Sequence, residues 1–342
     1  MRNNRQATRR EFLQNSMAAL TAAGAVSIAA GYDNQVQAET KMCDRSTKPN
    51  WAISCRDAHL KETGEPDSWS AMKIIGADGA EVGVQLDLAC PHLYAPGKTF
   101  SRADSKQIRE IGRRFEARGQ TITAFCLGNR FDSQREQEID CTLKVAEAAH
   151  QLGVPAVRLD IKPRSWKGTD EGFLKLAIDV GRELVKKSAH TKVRFGVENH
   201  GHKTNNVEFM RAMLKGVGSD RFGVTLDTAN FYWFGYPLTR LYDIYTEFAP
   251  HAVHTHAKSI AYPASEREKQ RQTGWEYGKY CCPVYEGDID FKRVAGILRK
   301  AGFAGDLCIE NESLKRFPEP QRREVLKKEI AHLRAAAAAT CA

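Results

Sequence analysis

Several patterns that would assign a chain of this size to a common functional class are missing from the sequence. It contains no zinc-finger spacing of cysteine and histidine, and no glycine-rich loop of the kind that binds phosphate groups. Its weakly apolar run, MAALTAAGAVSIAAG at residues 17–31, has about 15 apolar or small residues, which is too few to span a bilayer comfortably. We therefore expect neither a zinc-finger protein, nor a phosphate-loop enzyme, nor a stable membrane span.

The amino-terminal segment predicts export from the cytoplasm. The stretch TRREFLQNS contains the pair Arg9-Arg10 directly before the weakly apolar run, and Val36-Gln37-Ala38 supplies a small-x-Ala cleavage site. This composite resembles a twin-arginine export signal, with the twin-arginine export machinery as partner. We exclude residues 1–38 from the fold and expect a mature periplasmic or secreted protein of residues 39–342. The alternative is a basic segment that stays in the cytoplasm.

The cysteines do not form a recognisable framework. There are nine, an odd number, and their spacing does not repeat. Cys55, Cys126 and Cys308 lie inside apolar, strand-like runs. We therefore expect most of the cysteines to be small buried side chains rather than members of disulfide bonds.

The charge of the chain is mildly basic. The formal net charge is +9, and it falls to about +7 when residues 1–38 are removed. Basic residues alternate with acidic ones in helix-like stretches such as KQIREIGRRFEARG, which indicates a solvated helix face. We expect no nucleic-acid partner. A homo-oligomer is left open.

Short apolar runs recur roughly 30 to 40 residues apart along most of the chain, with helix-period segments between them. Eight units of a strand followed by a helix indicate an α/β fold, a single-domain (β/α)8 TIM barrel over residues 39–342. The alternative is a doubly wound open sheet, which normally has a glycine-rich first turn that RDAHLKETGEPD lacks. The predicted strands are WAISCR (51–56), VGVQLDL (82–88), TITAFCL (121–127), AVRLDI (156–161), VRFGVE (193–198), FGVTLD (222–227), AVHTHA (252–257) and DLCIE (306–310).

One connection is much longer than the others. Residues 259–288 separate the seventh predicted strand from the helix-like FKRVAGILRKAG. Loops that follow barrel strands lie at the carboxyl ends of the strands, where barrel enzymes place their chemistry. We expect this loop to be a lid or substrate wall that carries Trp275 and Tyr277. The alternative is a disordered insertion.

Four consecutive predicted strands end in residues typical of metal ligands. In VRFGVE the apolar side chains lie at period two, so Glu198 points away from the packed face. The same alternation places three more such side chains at the carboxyl ends of the next strands: Asp227, His256 and Glu310. Three carboxylates in one barrel mouth repel one another unless a cation lies among them. With one imidazole they form a ligand set for one divalent metal ion, Mn²⁺, Mg²⁺ or Co²⁺, with Zn²⁺ possible.

At these residues the chain resembles the xylose isomerase-like family of barrels, which includes sugar isomerases, ketose 3-epimerases and inosose dehydratase-like enzymes. The resemblance implies a metal held by Glu198, Asp227, His256 and Glu310. It favours His256 over His254, because His-Ala-Lys-Ser stands where the family has His-x-Lys-Asp. The matching stretches lie in family order over roughly residues 50–335 and are VENHG, LDTAN, VHTHAKS, YEGDIDF and CIENE.

The sequence departs from the family pattern at two positions. Ser259 stands where the family has an aspartate, so the sequence does not supply that aspartate's support for the strand that carries His256. Asn230 stands where ketose 3-epimerases tend to place a substrate-binding histidine, which argues against a specific ketose 3-epimerase.

The resemblance implies a sugar isomerase or epimerase that removes a proton next to a carbonyl group and forms an enediolate. Glu198 and Glu310 would each be both a ligand and an acid or base, and Lys258 would lie near the substrate oxygens. Side chains that follow the metal strands or lie in the long loop are candidates for binding a carbohydrate substrate: Asn230, His200, His202, Trp233 and Trp275.

Three other functions are compatible with this sequence. A dehydratase or lyase of the same fold would use the same enediolate. An endonuclease IV-like phosphodiester hydrolase would need further metal ligands, and TITAFCLGNRFD has no histidine. A barrel that binds sugar without catalysis is the third.

Replacing Arg9 and Arg10 together by lysine should leave the precursor in the cytoplasm, because the paired arginines identify the signal. Cell fractionation and the size of the chain measure this. A wild-type chain found uncleaved in the cytosol would contradict the predicted localisation.

Overall fold

The computed structural model describes residues 51–339 of the 342-residue chain. Eight parallel strands form a closed barrel in which chain neighbours are also hydrogen-bonded neighbours, and the last barrel strand pairs with the first. The predicted TIM barrel is confirmed. The predicted export signal and cleavage site lie outside the described residues. The barrel strands are β1 (Ala52–Arg56), β2 (Gly79–Val84), β3 (Thr121–Leu127), β4 (Ala156–Leu159), β5 (Arg194–Glu198), β6 (Phe222–Asp227), β7 (Ala252–Ala257) and β10 (Asp306–Ile309).

Helices cover the outside of the barrel, and their ends agree with local sequence signals. Gly153, with a φ of +68°, directly follows Leu152 and ends the helix that begins at Arg135, as glycine commonly does. The α-helices are α1 (Asp57–Leu60), α2 (Ser68–Ile75), α3 (Ser105–Glu116), α4 (Arg135–Leu152), α5 (Asp170–Lys187), α6 (Gly201–Thr204), α7 (Val207–Val217), α8 (Asn230–Phe234), α9 (Leu238–Phe248), α10 (Tyr277–Tyr280), α11 (Phe291–Lys300) and α12 (Glu319–Ala338). Within residues 51–339, none of these helices has the length and apolar character needed to cross a membrane.

Alternation along the strands decides which side chains enter the barrel. Phe195 and Val197 of β5 are fully buried on the outer face, against the helices, so Gly196 and Glu198 face inward. The interior is narrow below the mouth. A Cβ atom on Gly223 would lie 2.0 Å from the carbonyl oxygen of His251, so only glycine fits there.

Strand β2 begins and ends earlier than predicted. The predicted range was 82–88, but residues after Val84 form a turn in which Leu88 N–H donates to the Gln85 carbonyl at 2.9 Å. Leu88 has a φ of +67°, which no strand residue adopts. The apolar alternation of the sequence continues past the strand, and Glu81 was consequently left outside the prediction.

The long connection after β7 is folded rather than irregular. Its ends form a two-stranded antiparallel sheet, β8 (Ser259–Ile260) with β9 (Cys281–Cys282), and α10 lies directly before β9. The prediction of an ordered wall fits this structure better than the alternative of a disordered insertion.

Arg271 holds the middle of this connection in place. Its guanidinium lies between the rings of Tyr232 and Tyr262, at 4.5 and 4.4 Å from their centroids. It donates to the carbonyl oxygen of Tyr236 at 3.0 Å and to that of Lys269 at 3.0 Å. A buried guanidinium that donates hydrogen bonds to carbonyl groups of two chain segments holds both segments in place.

Arg271→Met should loosen this connection while the barrel persists. Buried carbonyl groups would lose their donor, at a cost of roughly 2–3 kcal/mol. We expect a lower melting temperature and faster proteolytic cleavage between residues 263 and 280. Lys269→Met is the matched control, because Lys269 lies in the same connection, is exposed and pairs there with Glu266. Equal cleavage rates in the two variants would contradict the role of Arg271.

Candidate functional site

Four side chains that the sequence placed at strand ends converge in the structure. Glu198 and Asp227 are the last residues of β5 and β6, His256 lies in β7, and Glu310 directly follows β10. Each offers an atom that lies within 4.8 Å of an atom of the other three, and all four side chains are buried. Their strands are neighbours in the barrel, with Asp227 directly opposite His256. The barrel thus gathers three carboxylates and one imidazole in its mouth.

The carboxylate oxygens in this cluster fit a cation. Glu198 Oε2, Asp227 Oδ2 and Glu310 Oε2 are buried, and the contacts of these oxygens include ion pairs with Lys258 and Arg158. Lys258 Nζ lies 2.8 Å from Glu310 Oε2 and 3.2 Å from Asp227 Oδ2, and Arg158 forms an ion pair with Glu198. Crowded carboxylates attract cations, as these two side chains show, and carboxylate and imidazole are suitable ligands for a divalent ion. The residues present therefore fit a metal.

His256 turns one nitrogen toward the carboxylate cluster. Its Nδ1 lies 3.1 Å from Glu198 Oε1 and 3.3 Å from Glu310 Oε2. Its Nε2 lies 2.9 Å from Glu81 Oε1, and the same oxygen lies 3.2 Å from His254 Nε2. His254 is buried deeper along this chain of contacts, with Nδ1 on Asp306 at 2.5 Å. His256 is therefore the imidazole available to the cluster, and His254 is not.

Neighbouring charges set the ionisation of the carboxylates. Burial raises the pKa of Glu310, but the nearby Lys258, His256 and Arg56 outweigh burial and hold that pKa well below its usual range. Burial raises the pKa of Asp227, Lys258 opposes this effect, and the negative charge of Glu310 adds to it. A further cation among these oxygens would keep all the carboxylates ionised.

Asparagine side chains support the carboxylates from behind. Asn199 accepts a hydrogen bond from the backbone N–H of Asp227 at 2.8 Å and donates to its carbonyl oxygen at 3.0 Å, which ties β5 to β6. Asn230, at the start of α8, donates to Glu198 Oε1 at 3.1 Å. Asn230 was predicted to bind substrate, and the structure places its amide on a carboxylate of the cluster.

Lys258 connects the cluster to the long loop. Thr228 accepts from the Lys258 backbone N–H at 3.0 Å and donates to its carbonyl at 2.7 Å, which positions the residue despite the serine that follows it. Beyond the cluster, Lys258 Nζ lies 3.2 Å from Glu312 Oε1. The hydroxyl of Tyr277 donates to Glu312. The long loop therefore lies at the same end of the barrel as the cluster.

The other predicted substrate-binding residues surround the mouth. His200 Nδ1 lies 3.7 Å from Glu198 Oε2 and 2.8 Å from Asp160 Oδ1. His202 packs against Trp233, with ring centroids 6.0 Å apart. Trp275 stacks on Tyr280 at 5.6 Å and belongs to the loop wall. Of these residues, only His200 is close to the carboxylates.

Several charged side chains of the interior were not predicted from the sequence, among them Arg56, Glu81 and Arg158. Arg56 forms ion pairs with Glu81, at 2.9 Å, and with Glu310. Arg158 lies 3.2 Å from Asp160 in addition to its contact with Glu198. Each lies at a strand position whose side chain points into the barrel. A charged residue within an otherwise apolar strand is the sequence signal that could have identified it.

Two further groups of side chains in the described residues have metal-like composition. Asp160, Glu198 and His200 lie together, but Arg158 already contacts both carboxylates of that group. Glu81, His254 and Cys308 also lie together, and there the two histidines and Arg56 occupy the Glu81 carboxylate. The cluster at Glu198, Asp227, His256 and Glu310 remains the best candidate for a metal centre.

Residues 69–336 match the model of a family described as "Xylose isomerase-like TIM barrel". The chain belongs to this family. No curated protein gives a match. Xylose isomerase-like barrels with solved structures are similar over most of this chain. The IolI protein with a bound zinc atom has a TM-score of 0.62 and 16% identity, with 83% of this chain and 98% of that chain covered.

Two other solved structures carry an activity in their names. The 3-keto-D-glucoside 4-epimerase YcjR from E. coli has a TM-score of 0.56 and 16% identity, with 83% of this chain and 98% of that chain covered. Mannonate dehydratase from Streptococcus suis has a TM-score of 0.60 and 13% identity, with 84% and 95% covered. At these identities, the likeness shows a shared xylose isomerase-like fold.

The purified protein should contain about one divalent metal ion per subunit. His256→Ala and Asp227→Ala should each lose it, since each removes one of four protein ligands. Elemental analysis after dialysis measures the metal, and circular dichroism checks the fold. His251→Ala, at an exposed histidine, is the control and should keep the metal. Full metal content in both ligand variants would contradict the assignment.

Proposed function

We propose that this protein is a divalent-metal-dependent sugar isomerase or epimerase that removes a proton from the carbon next to a carbonyl group. The observation that carries this proposal is the convergence of Glu198, Asp227, His256 and Glu310 in the mouth of a xylose isomerase-like barrel. The names of similar structures support a sugar-modifying enzyme, since one is an epimerase and another a dehydratase.

In the proposed reaction, Glu198, Asp227, His256 and Glu310 hold one metal ion, Mn²⁺, Mg²⁺ or Co²⁺, with Zn²⁺ possible. A bound divalent cation polarises the substrate carbonyl and stabilises negative charge on its oxygen. This polarisation lowers the pKa of the adjacent C–H group, so that a carboxylate can remove its proton.

Glu198 and Glu310 are the proposed acid and base. Their strands are three apart around the barrel, so the two carboxylates approach the centre from different sides. Glu310 is kept ionised by Lys258, His256 and Arg56, as a base must be before it accepts a proton. One carboxylate takes the proton from carbon, and the other returns a proton to the enediolate. Return to the opposite face of the same carbon gives epimerisation, and return to the neighbouring carbon gives isomerisation.

The remaining polar and aromatic side chains of the mouth have proposed roles in binding. Lys258 donates hydrogen bonds to the substrate oxygens near Glu310, in addition to its ion pairs. His200, beside Glu198, is proposed to line this side of the mouth and to position the groups around it. His202, Trp233 and Trp275 form a partly apolar wall for the carbon skeleton of the sugar.

We also propose that the protein acts outside the cytoplasm, because the predicted twin-arginine signal precedes the barrel. This location makes unphosphorylated sugars and keto-glycosides the first compounds to examine. Loss of water from the same enediolate would make the enzyme a dehydratase, so product analysis accompanies each assay.

Incubation of the metal-loaded protein with ketoses, aldoses and keto-sugars in D₂O should place deuterium on the carbon next to the carbonyl. Glu198→Gln and Glu310→Gln should each slow the exchange by about 10²- to 10⁴-fold, because an amide cannot carry the proton. NMR and mass spectrometry measure the label and the product. Glu208→Gln, on an exposed helix face, is the control and should exchange normally.

Three results would overturn the proposed function. Full metal occupancy without exchange on any sugar would favour a barrel that binds sugar without catalysis. A dehydrated product would assign the protein to the lyases. Cleavage of abasic DNA would favour a phosphodiester hydrolase.

A further inference from the structure

One lysine at the barrel mouth has no acidic partner. Lys162 follows β4 by three residues, at the carboxyl end of the barrel, and it forms no ion pair within residues 51–339. Its Nζ lies 3.2 Å from His200 Nε2, and that imidazole is its only polar contact. Buried or half-buried lysines normally lie against a carboxylate, because the ammonium group loses hydration there. Asp160 and Glu312 lie near enough to act on this positive charge, but neither forms an ion pair with it.

The surrounding loops hold this ammonium group in place. The Lys162 stem packs on Gly201, where an added Cβ atom would lie 3.0 Å from Lys162 Cδ, and Gly201 itself has a φ of +70°. Only glycine suits both that backbone conformation and that close approach. Lys162 is thus held against the neighbouring loop after β5 rather than extended into solvent.

His200 presents a hydrogen-bond acceptor to this lysine. Asp160 Oδ1 lies 2.8 Å from His200 Nδ1, so Nδ1 carries the proton and Nε2 accepts from Lys162. The Asp160 carboxylate is already bound by His200 and by Arg158, at 3.2 Å. An imidazole orients the ammonium without cancelling its charge, which leaves its other N–H groups for a ligand.

A second cation lies on the same side of the mouth. Arg130 follows β3 by three residues, its Nε is buried without a hydrogen-bond partner, and it also forms no ion pair within the described part of the chain. Burial lowers the pKa of Lys162, and the positive charges of Arg130 and Arg158 add to this effect; Asp160 and Glu312 oppose it without reversing it. The Lys162 charge is therefore unfavourable as the site stands, and a bound anion would relieve it.

The distance from the carboxylate cluster suits one end of a sugar. His200 Nδ1 lies 3.7 Å from Glu198 Oε2, and Lys162 lies against the opposite nitrogen of the same ring. One imidazole ring and two polar contacts therefore separate Lys162 from the proposed reaction centre. Contacts of 3.7 and 3.2 Å with a ring between them set a separation comparable with the length of a whole monosaccharide.

We propose that the substrate of this site is an acidic sugar whose anionic group, a carboxylate or a phosphate, binds Lys162 with Arg130 beside it. The inference rests on the proposed function for the placement of the other end of the sugar, its hydroxy-carbonyl group, at the carboxylate cluster. Lys162 then acts as a specificity-determining residue that distinguishes charged from neutral sugars.

The test compares sugars that differ only in charge. Calorimetric titration of the metal-loaded protein with glucuronate, glucose and glucose 6-phosphate, and with galacturonate and galactose, measures the affinity for each. We expect an acidic sugar to bind at least about tenfold more tightly than its neutral counterpart, as a charge-assisted hydrogen bond provides. The uronates and the phosphate ester distinguish the two possible anionic groups.

Variants assign the preference to one side chain. Lys162→Met keeps the length of the stem and should abolish the preference while metal content and neutral-sugar affinity remain. Lys162→Arg should restore most of the preference. Lys167→Met, at an exposed lysine of the same loop, is the matched control and should behave as the wild type.

Each other outcome contradicts the inference. Equal or tighter binding of the neutral sugar by the wild type, or no binding of any acidic sugar, would exclude an acidic substrate. A preference that persists in Lys162→Met would place the anion elsewhere. Deuterium exchange on neutral sugars alone would leave the proposed function intact and overturn only this inference. Tighter binding of acidic sugars without deuterium exchange on any sugar would leave this inference intact and overturn the proposed function.

Discussion

Compensation of charge inside the barrel is the constraint on which the rest of the site depends. Glu81 lies between His254 and His256, and Arg56 joins Glu81 to Glu310. Removing one partner from such a buried arrangement leaves an unpaired charge, at a cost of about 3–5 kcal/mol. The network therefore fixes the orientation of each member. At the mouth it brings three carboxylates and one imidazole together, a ligand set that a divalent cation fits.

The long connection after β7 joins this charged interior to the surface. Arg271 fixes its middle against Tyr232 and Tyr262, while Tyr277 at its far end reaches Glu312 and thereby Lys258. A loop held at both places forms a wall of the site without the need to order itself on binding. Such preorganisation keeps polar groups aimed at the place where charge develops during a reaction.

Sequence patterns were sufficient to predict most of the barrel and the residues at its mouth. All eight barrel strands were predicted, because each combines apolar alternation with helix-period segments on either side. The bounds of β2 were wrong, since residues 85–88 continue the alternation after the chain has turned. The predicted export signal remains a prediction. The convergence of Glu198, Asp227, His256 and Glu310 was expected from their parity and from their places at strand ends, and their roles remain proposals.

The sequence by itself determined which face of each strand is apolar, because side chains alternate with a period of two wherever the strand lies. It therefore determined that Glu198 and Asp227 point inward. Tertiary structure alone decided what each inward charge meets. Glu81 and His256 are 175 positions apart, and only closure of the barrel brings them to 2.9 Å. In the part of the chain that the structure describes, Lys162 meets His200, from the loop after β5, rather than a carboxylate, because the nearby Asp160 already binds Arg158 and His200.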